Sequence, residues 1–78
     1  MKSKELSFRV VFRPEPEGGY TVIVPSFPGC ITYGEDIKQA REMARDAIKA
    51  YLESMKKHGE EFRDDSDTVE AMLTMQYG

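Results

Sequence analysis

Between positions 37 and 55 the apolar residues Ile37, Ala40, Ala44, Ala47, Ile48, Tyr51, Leu52 and Met55 recur at the spacing of a single helical face. A stripe that long must be laid against another element. The other apolar periodicity in the chain is the period-2 alternation of strands, so the chain is constrained to a helix on a sheet. Asp36 can accept from the free N–H groups of the first turn, and Gln39, three positions on, can complete a capping box. Gly59, after His58, supplies a positive-φ stop, and the spacing predicts a helix over 37–58. Its opposite face carries Lys38, Arg41, Glu42, Arg45, Lys49, Glu53 and Lys56, with Lys49 and Glu53 at i, i+4.

Ahead of the helix, Leu6, Phe8, Val10 and Phe12 alternate with Ser7, Arg9, Val11 and Arg13, which predicts a half-buried strand over 6–13. Pro14-Glu15-Pro16-Glu17-Gly18-Gly19 removes backbone donors and admits positive φ, so the chain turns there. A second strand over 20–24 is rich in β-branched and aromatic residues and stops at Pro25. Phe27, between Pro25-Ser26 and Pro28-Gly29, is expected in a rigid kinked loop, and a short third strand over 30–33 leads into Gly34. Connections this short permit only an antiparallel meander.

Beyond the helix, residues 60–67 read as an acidic loop with Phe62 as its only large apolar residue. Val69, Ala71, Leu73, Met75 and Tyr77 then alternate with Glu70, Met72, Thr74 and Gln76, predicting a final strand. The expected fold is α+β in the order βββαβ. A right-handed crossover sets the fourth strand parallel to the first, and the one long helix packs on one face. The other face, with Val11, Ile23 and Met72 as its apolar contributions, is expected to be half-solvated or covered by a second subunit.

Seventy-eight residues suffice for one core, so a single domain over 1–78 is expected. One cysteine, Cys30, makes no internal disulfide, and the N-terminal residues lead into no apolar segment of signal-peptide or membrane-spanning length. These features predict a cytoplasmic protein that does not enter a membrane. A formal net charge of -3 repels phosphate and attracts a basic partner.

The residues offer little chemistry. His58 is the only histidine, placed where a helix C-terminus favours a cation, and Cys30 beside the Pro28-Gly29 bend reads as a small buried apolar group. One His and one Cys build no metal site. The first strand contains no carboxylate to partner Glu42, Asp46 or Glu70 around a divalent ion, and the five acids between 60 and 67 read as a solvated run. No catalytic, cofactor-binding or metal-ligating residue is assigned. The expectation is a non-enzymatic protein that binds another protein, with Ser26, Phe27, Tyr33, Asp64 and Asp65 as candidate contacts.

The series Glu17-Gly18-Gly19-Tyr20-Thr21-Val22, Val24-Pro25-Ser26-Phe27-Pro28-Gly29-Cys30, Tyr33-Gly34-Glu35-Asp36, Gln39-Ala40, Ala44-Arg45-Asp46-Ala47-Ile48 and Tyr51-Leu52 resembles the HicB-like antitoxin family. The resemblance implies a partial RNase H-like fold and an inhibitor that neutralises a HicA-type toxin, a small basic ribonuclease, by protein contact. The missing strand-one aspartate agrees with an inhibitor that has no nuclease activity. Many members add an operator-binding segment. These 78 residues leave no room for one, so no separate DNA-binding domain and no direct nucleic-acid contact are expected. The alternative is a solitary domain that self-associates as a homodimer or higher oligomer, since a short edge strand and a partly apolar second face invite pairing between identical chains.

Overall fold

A computed structural model describes residues 5–78 as three short strands and one helix: β1 (Val11–Pro14), β2 (Tyr20–Ile23), β3 (Ile31–Gly34) and α1 (Ile37–Lys57). The strands pair antiparallel in the order β1-β2-β3, with Val11 opposite Ile23 and Ile23 opposite Ile31. The meander and the helix therefore stand as the alternation of residues requires. The turn between β1 and β2 closes through Glu15 N–H to Gly19 O at 3.0 Å and Gly18 N–H to Glu15 O at 3.0 Å, with Gly18 and Gly19 both at positive φ.

Two apolar clusters lie between sheet and helix. Val22, Ala40 and Ala44 form one, flanked by Val10, Phe12 and Tyr20. Val24, Phe27 and Cys30 form the other, covered by Phe8, Ala47, Ile48, Tyr51, Leu52 and Met55. The helix comes close because the contact residues are small: Ala40 and Ala44 are buried, and Gly34 lies so near that a Cβ there would overlap the backbone of Ala40. Fully burying Val22 and Val24 stabilises the domain by about 1.5–3 kcal/mol each.

Asp36 caps α1, its Oδ1 accepting from Gln39 N–H at 2.7 Å, while Gln39 Oε1 accepts from Glu35 N–H at 2.6 Å. The reciprocal arm of the capping box thus reaches one residue further back than the usual pattern. At the other end Glu60 N–H donates to Met55 O at 2.9 Å and Gly59 N–H to Lys56 O at 3.2 Å, with Gly59 at φ 68°. These bonds close the helix in a Schellman motif. His58 Nδ1–H donates to Ser54 O at 2.7 Å and belongs to this cap.

Two expectations need correction. The first strand, expected over 6–13, pairs only over Val11–Pro14, because β2 ends at Ile23 and Pro25 offers no N–H to continue the ladder. The loop after α1 takes β2's place: Asp65 N–H donates to Ser7 O at 2.7 Å, and Ser7 and Arg9 N–H donate to the Asp64 and Asp65 carboxylates at 2.9 Å each. The second correction concerns the fourth strand expected over residues 69–77, parallel to the first. Among the described residues it joins no ladder, and every residue from 69 to 78 is exposed. The radius of gyration, 14.8 Å, exceeds the roughly 11.5 Å of a compact chain of this length.

Candidate partner-binding site

The bend at Pro25 and the loop after α1 place Ser26, Asp64 and Asp65 together where β2 stops. Ser26 follows Pro25 in the bend after β2, and its hydroxyl donates to Asp65 Oδ1 at 2.7 Å. The other oxygen of Asp65 accepts from Arg9 N–H, with Arg9 Nε 3.6 Å away, and the side chain is only 8% exposed. Asp64 accepts from Ser7 N–H and, on its second oxygen, from the Ser66 hydroxyl at 2.9 Å. Three of the five expected contacts, Ser26, Asp64 and Asp65, are thereby brought together.

That cluster works first as a latch. Each carboxylate accepts hydrogen bonds that favour its charged form, so both pKa values lie below the ordinary carboxylate range. For Asp64 the Ser7 N–H is the main cause and the Ser66 hydroxyl the next. For Asp65 the Arg9 N–H leads, followed by the Ser26 hydroxyl. With two carboxylates tied down, the loop after α1 is held against Ser7 and Arg9. Glu60, Glu61 and Asp67 remain exposed around the ring of Phe62, which is 40% exposed and 6.2 Å from Phe8. An open acidic cleft of about 980 Å³ lies between this loop, Leu6 and Ser26.

Phe27 takes a different position from the one expected. Its ring stacks on Tyr51 at 4.3 Å and tilts against Phe8 at 4.9 Å, and it is 3% exposed, so it is a core residue that presents nothing to a partner. The prolines that flank it in sequence kink the loop inward. Tyr33 is 48% exposed on the opposite face, where its hydroxyl donates to Gly18 O at 3.0 Å and its ring covers Gly19 so closely that a Cβ there would collide with it. Tyr33 shares that face with the in-register row Val11, Ile23 and Ile31. Ile31, 63% exposed, was missing from the apolar set expected there, although its spacing from Tyr33 places it on the same pleat face.

Burial pushes the Cys30 thiol pKa up, which disfavours the thiolate. Glu15 is held below the ordinary range, chiefly by the Thr21 hydroxyl and then by Arg13, so it serves the turn between β1 and β2. Among the described residues no group of three or more His, Cys, Asp or Glu side chains converges as metal ligands would, and no helix is long and apolar enough to cross a membrane. The arrangement offers hydrogen-bond acceptors, negative charge and two apolar surfaces.

Comparison with known proteins agrees with the fold and its motifs. The family described as "HicB_like antitoxin of bacterial toxin-antitoxin system" matches residues 8–77. A UPF0150 protein of Thermoplasma acidophilum is 38% identical over 65 residues, covering 82% of this chain and 94% of the relative. Antitoxin HicB of Escherichia coli is 40% identical over 43 residues, which is 55% of this chain and 31% of that antitoxin. Antitoxin HicB 1 of Photorhabdus laumondii is 40% identical over 45 residues, 58% of this chain and 29% of the relative.

Proposed function

The chain belongs to the HicB-like antitoxin family of bacterial toxin-antitoxin systems, and on that premise we propose that it neutralises a small, basic, mRNA-cleaving HicA-type toxin in the cytoplasm. It does so by protein contact, with no catalysis of its own. The observation that carries the reading is the acidic loop, where Glu60, Glu61 and Asp67 stand exposed around Phe62 on a frame fixed by Asp64 and Asp65. A ribonuclease holds phosphate with cationic side chains, and fixed carboxylates offer those side chains a competing anion. Preorganisation lowers the ordering cost of binding, and the net charge of -3 speeds encounter. In this reading the three strands and the helix belong to a partial RNase H-like fold without the strand-one carboxylate that nuclease action requires.

The test is co-expression of the full chain with a HicA-type toxin, scored by rescue of growth, together with calorimetric titration at two salt concentrations. Rescue and salt-sensitive binding are expected. Replacing Glu60, Glu61 and Asp67 together by lysine should weaken binding by about 10–100-fold while the melting temperature holds. A chain that binds no such toxin and rescues no growth removes the proposal.

A further inference from the structure

Residues 69–77 combine features that rarely coexist in a folded chain. They alternate as a strand does, yet Val69, Leu73, Met75 and Tyr77 are 93%, 85%, 80% and 103% exposed. Among the described residues none of the hydrogen bonds reaches them. A long, apolar, unpaired strand is a template for pairing.

A complementary vacancy lies at the sheet edge. Glu15 exchanges its backbone bond with Gly19, and in an antiparallel ladder alternate residues face the same neighbour, so Arg13 and Val11 turn their N–H and C=O groups toward β2. Ser7 and Arg9 continue that alternation, their N–H groups directed to the loop that replaces β2. Phe8, Val10 and Phe12 therefore turn their backbone groups to the other edge, where no strand pairs among the described residues. Beside that edge a groove of about 650 Å³ opens between Leu6, Phe8 and Val10 and the helix residues Ala44, Ile48 and Leu52. Its apolar lining is bordered by the helix side chains Arg41, Arg45, Lys49 and Glu53. The helix already overhangs it.

We propose that two copies of this chain form a dimer by exchanging residues 69–77, each arm adding to the outer edge of the other copy's β1 as a parallel fourth strand beneath α1. The period-2 set of the arm supplies the apolar face the groove lacks. The arm's one charge, Glu70, falls on the opposite pleat face, away from the groove. The latch explains why the arm reaches outward. Asp65 is anchored on the β2 side of Ser7 and Arg9, and Thr68 N–H donates back to Asp65 O at 2.9 Å, so the arm departs from the side opposite its own vacant edge. Reciprocal insertion of two such arms removes on the order of 2,000 Å² from water, the size class of a stable dimer. The inference does not depend on the antitoxin reading.

The experiment uses the full chain. Sedimentation velocity over a wide concentration range should give twice the 8.9 kDa chain mass. Isotope-filtered NOE spectra of a refolded mixture of labelled and unlabelled chains should connect Leu73 and Met75 with Ile48 and Leu52 across chains. Leu73→Lys with Met75→Lys should raise the dimer dissociation constant about 100-fold or more without loss of helical circular dichroism, whereas Ile31→Lys should leave it unchanged. A monomer with those NOEs within one chain, a monomer with a freely mobile arm, or a dimer abolished by Ile31→Lys alone would each overturn the proposal.

Discussion

Phe27→Ala separates two roles for the most conspicuous aromatic in the chain. The sequence places Phe27 in a proline-bounded loop as a candidate contact, and the structure packs its ring between Tyr51 at 4.3 Å and Phe8 at 4.9 Å, against Val24 and Cys30. Truncating a buried phenyl loses its transfer free energy and leaves a cavity, together about 3–5 kcal/mol. A domain of this size loses about 4–8 °C of melting temperature per kcal/mol, so the fall should be on the order of 15–30 °C. That is a large part of the roughly 5–15 kcal/mol by which such domains are usually stable. Phe27→Leu keeps most of the volume and should cost only about 1–2 kcal/mol, or roughly 5–15 °C. Thermal melts followed by circular dichroism measure both, and partner binding is measured on the leucine variant, which stays folded. If the alanine variant melts within a few degrees of the parent chain while binding collapses, the ring is a surface contact and its packing assignment is wrong.

Acid should weaken the latch and with it the fold. Asp64 and Asp65 have folded-state pKa values below their unfolded ones, so their stabilisation is complete above the ordinary carboxylate range near about pH 4 and is lost as pH falls through the lowered values. Urea midpoints from pH 6 to pH 2 should fall more steeply for the parent chain than for Asp65→Asn; superimposable slopes would rule out the linkage. Gly34→Ala should lower the melting temperature by roughly 5–15 °C, because its methyl group overlaps Ala40 and forces the helix outward. An unchanged melt would show that α1 moves freely. Cys30, buried and with a raised pKa, should react with a thiol reagent on the order of 100-fold more slowly in the folded chain than in denaturant, and equal rates would place the thiol at the surface.

The helix was legible because every signal agreed: the stripe, the Asp36 cap, Gln39 and Gly59 bound it within one residue of the observed Ile37–Lys57. The three strands were legible as elements but not in extent. Nothing in the alternation of residues 6–13 reveals that β2 departs at Pro25 and that a loop more than fifty residues later takes over the hydrogen bonds of Ser7 and Arg9. Such a replacement depends on tertiary geometry, and Asp64 and Asp65 look in sequence like any other solvated acids. Phe27 was misplaced for a related reason: proline and glycine neighbours mark a bend, but not whether the bend carries its aromatic outward or inward.

The motifs behind the family resemblance are largely explained by folding. Gly18 and Gly19 meet the positive φ of the turn, Tyr33 covers them, Gly34 and Ala40 let the helix settle, and Cys30 and Phe27 fill the core. The buried members of this set, Phe27, Cys30 and Ala40, present nothing to a partner, whereas the acidic loop and the arm of residues 69–77, which the motifs leave out, carry exposed side chains. The arm also marks what periodicity cannot contain. A period of two states which side chains share a face, and it is satisfied equally whether the neighbouring strand belongs to the same chain or to another. The choice is made by the connection before the arm, here by two aspartates that fasten it on the side away from the vacant edge. A short polar loop, carrying almost no hydrophobic signal of its own, can therefore determine whether an apolar strand completes its own sheet or reaches for a second copy.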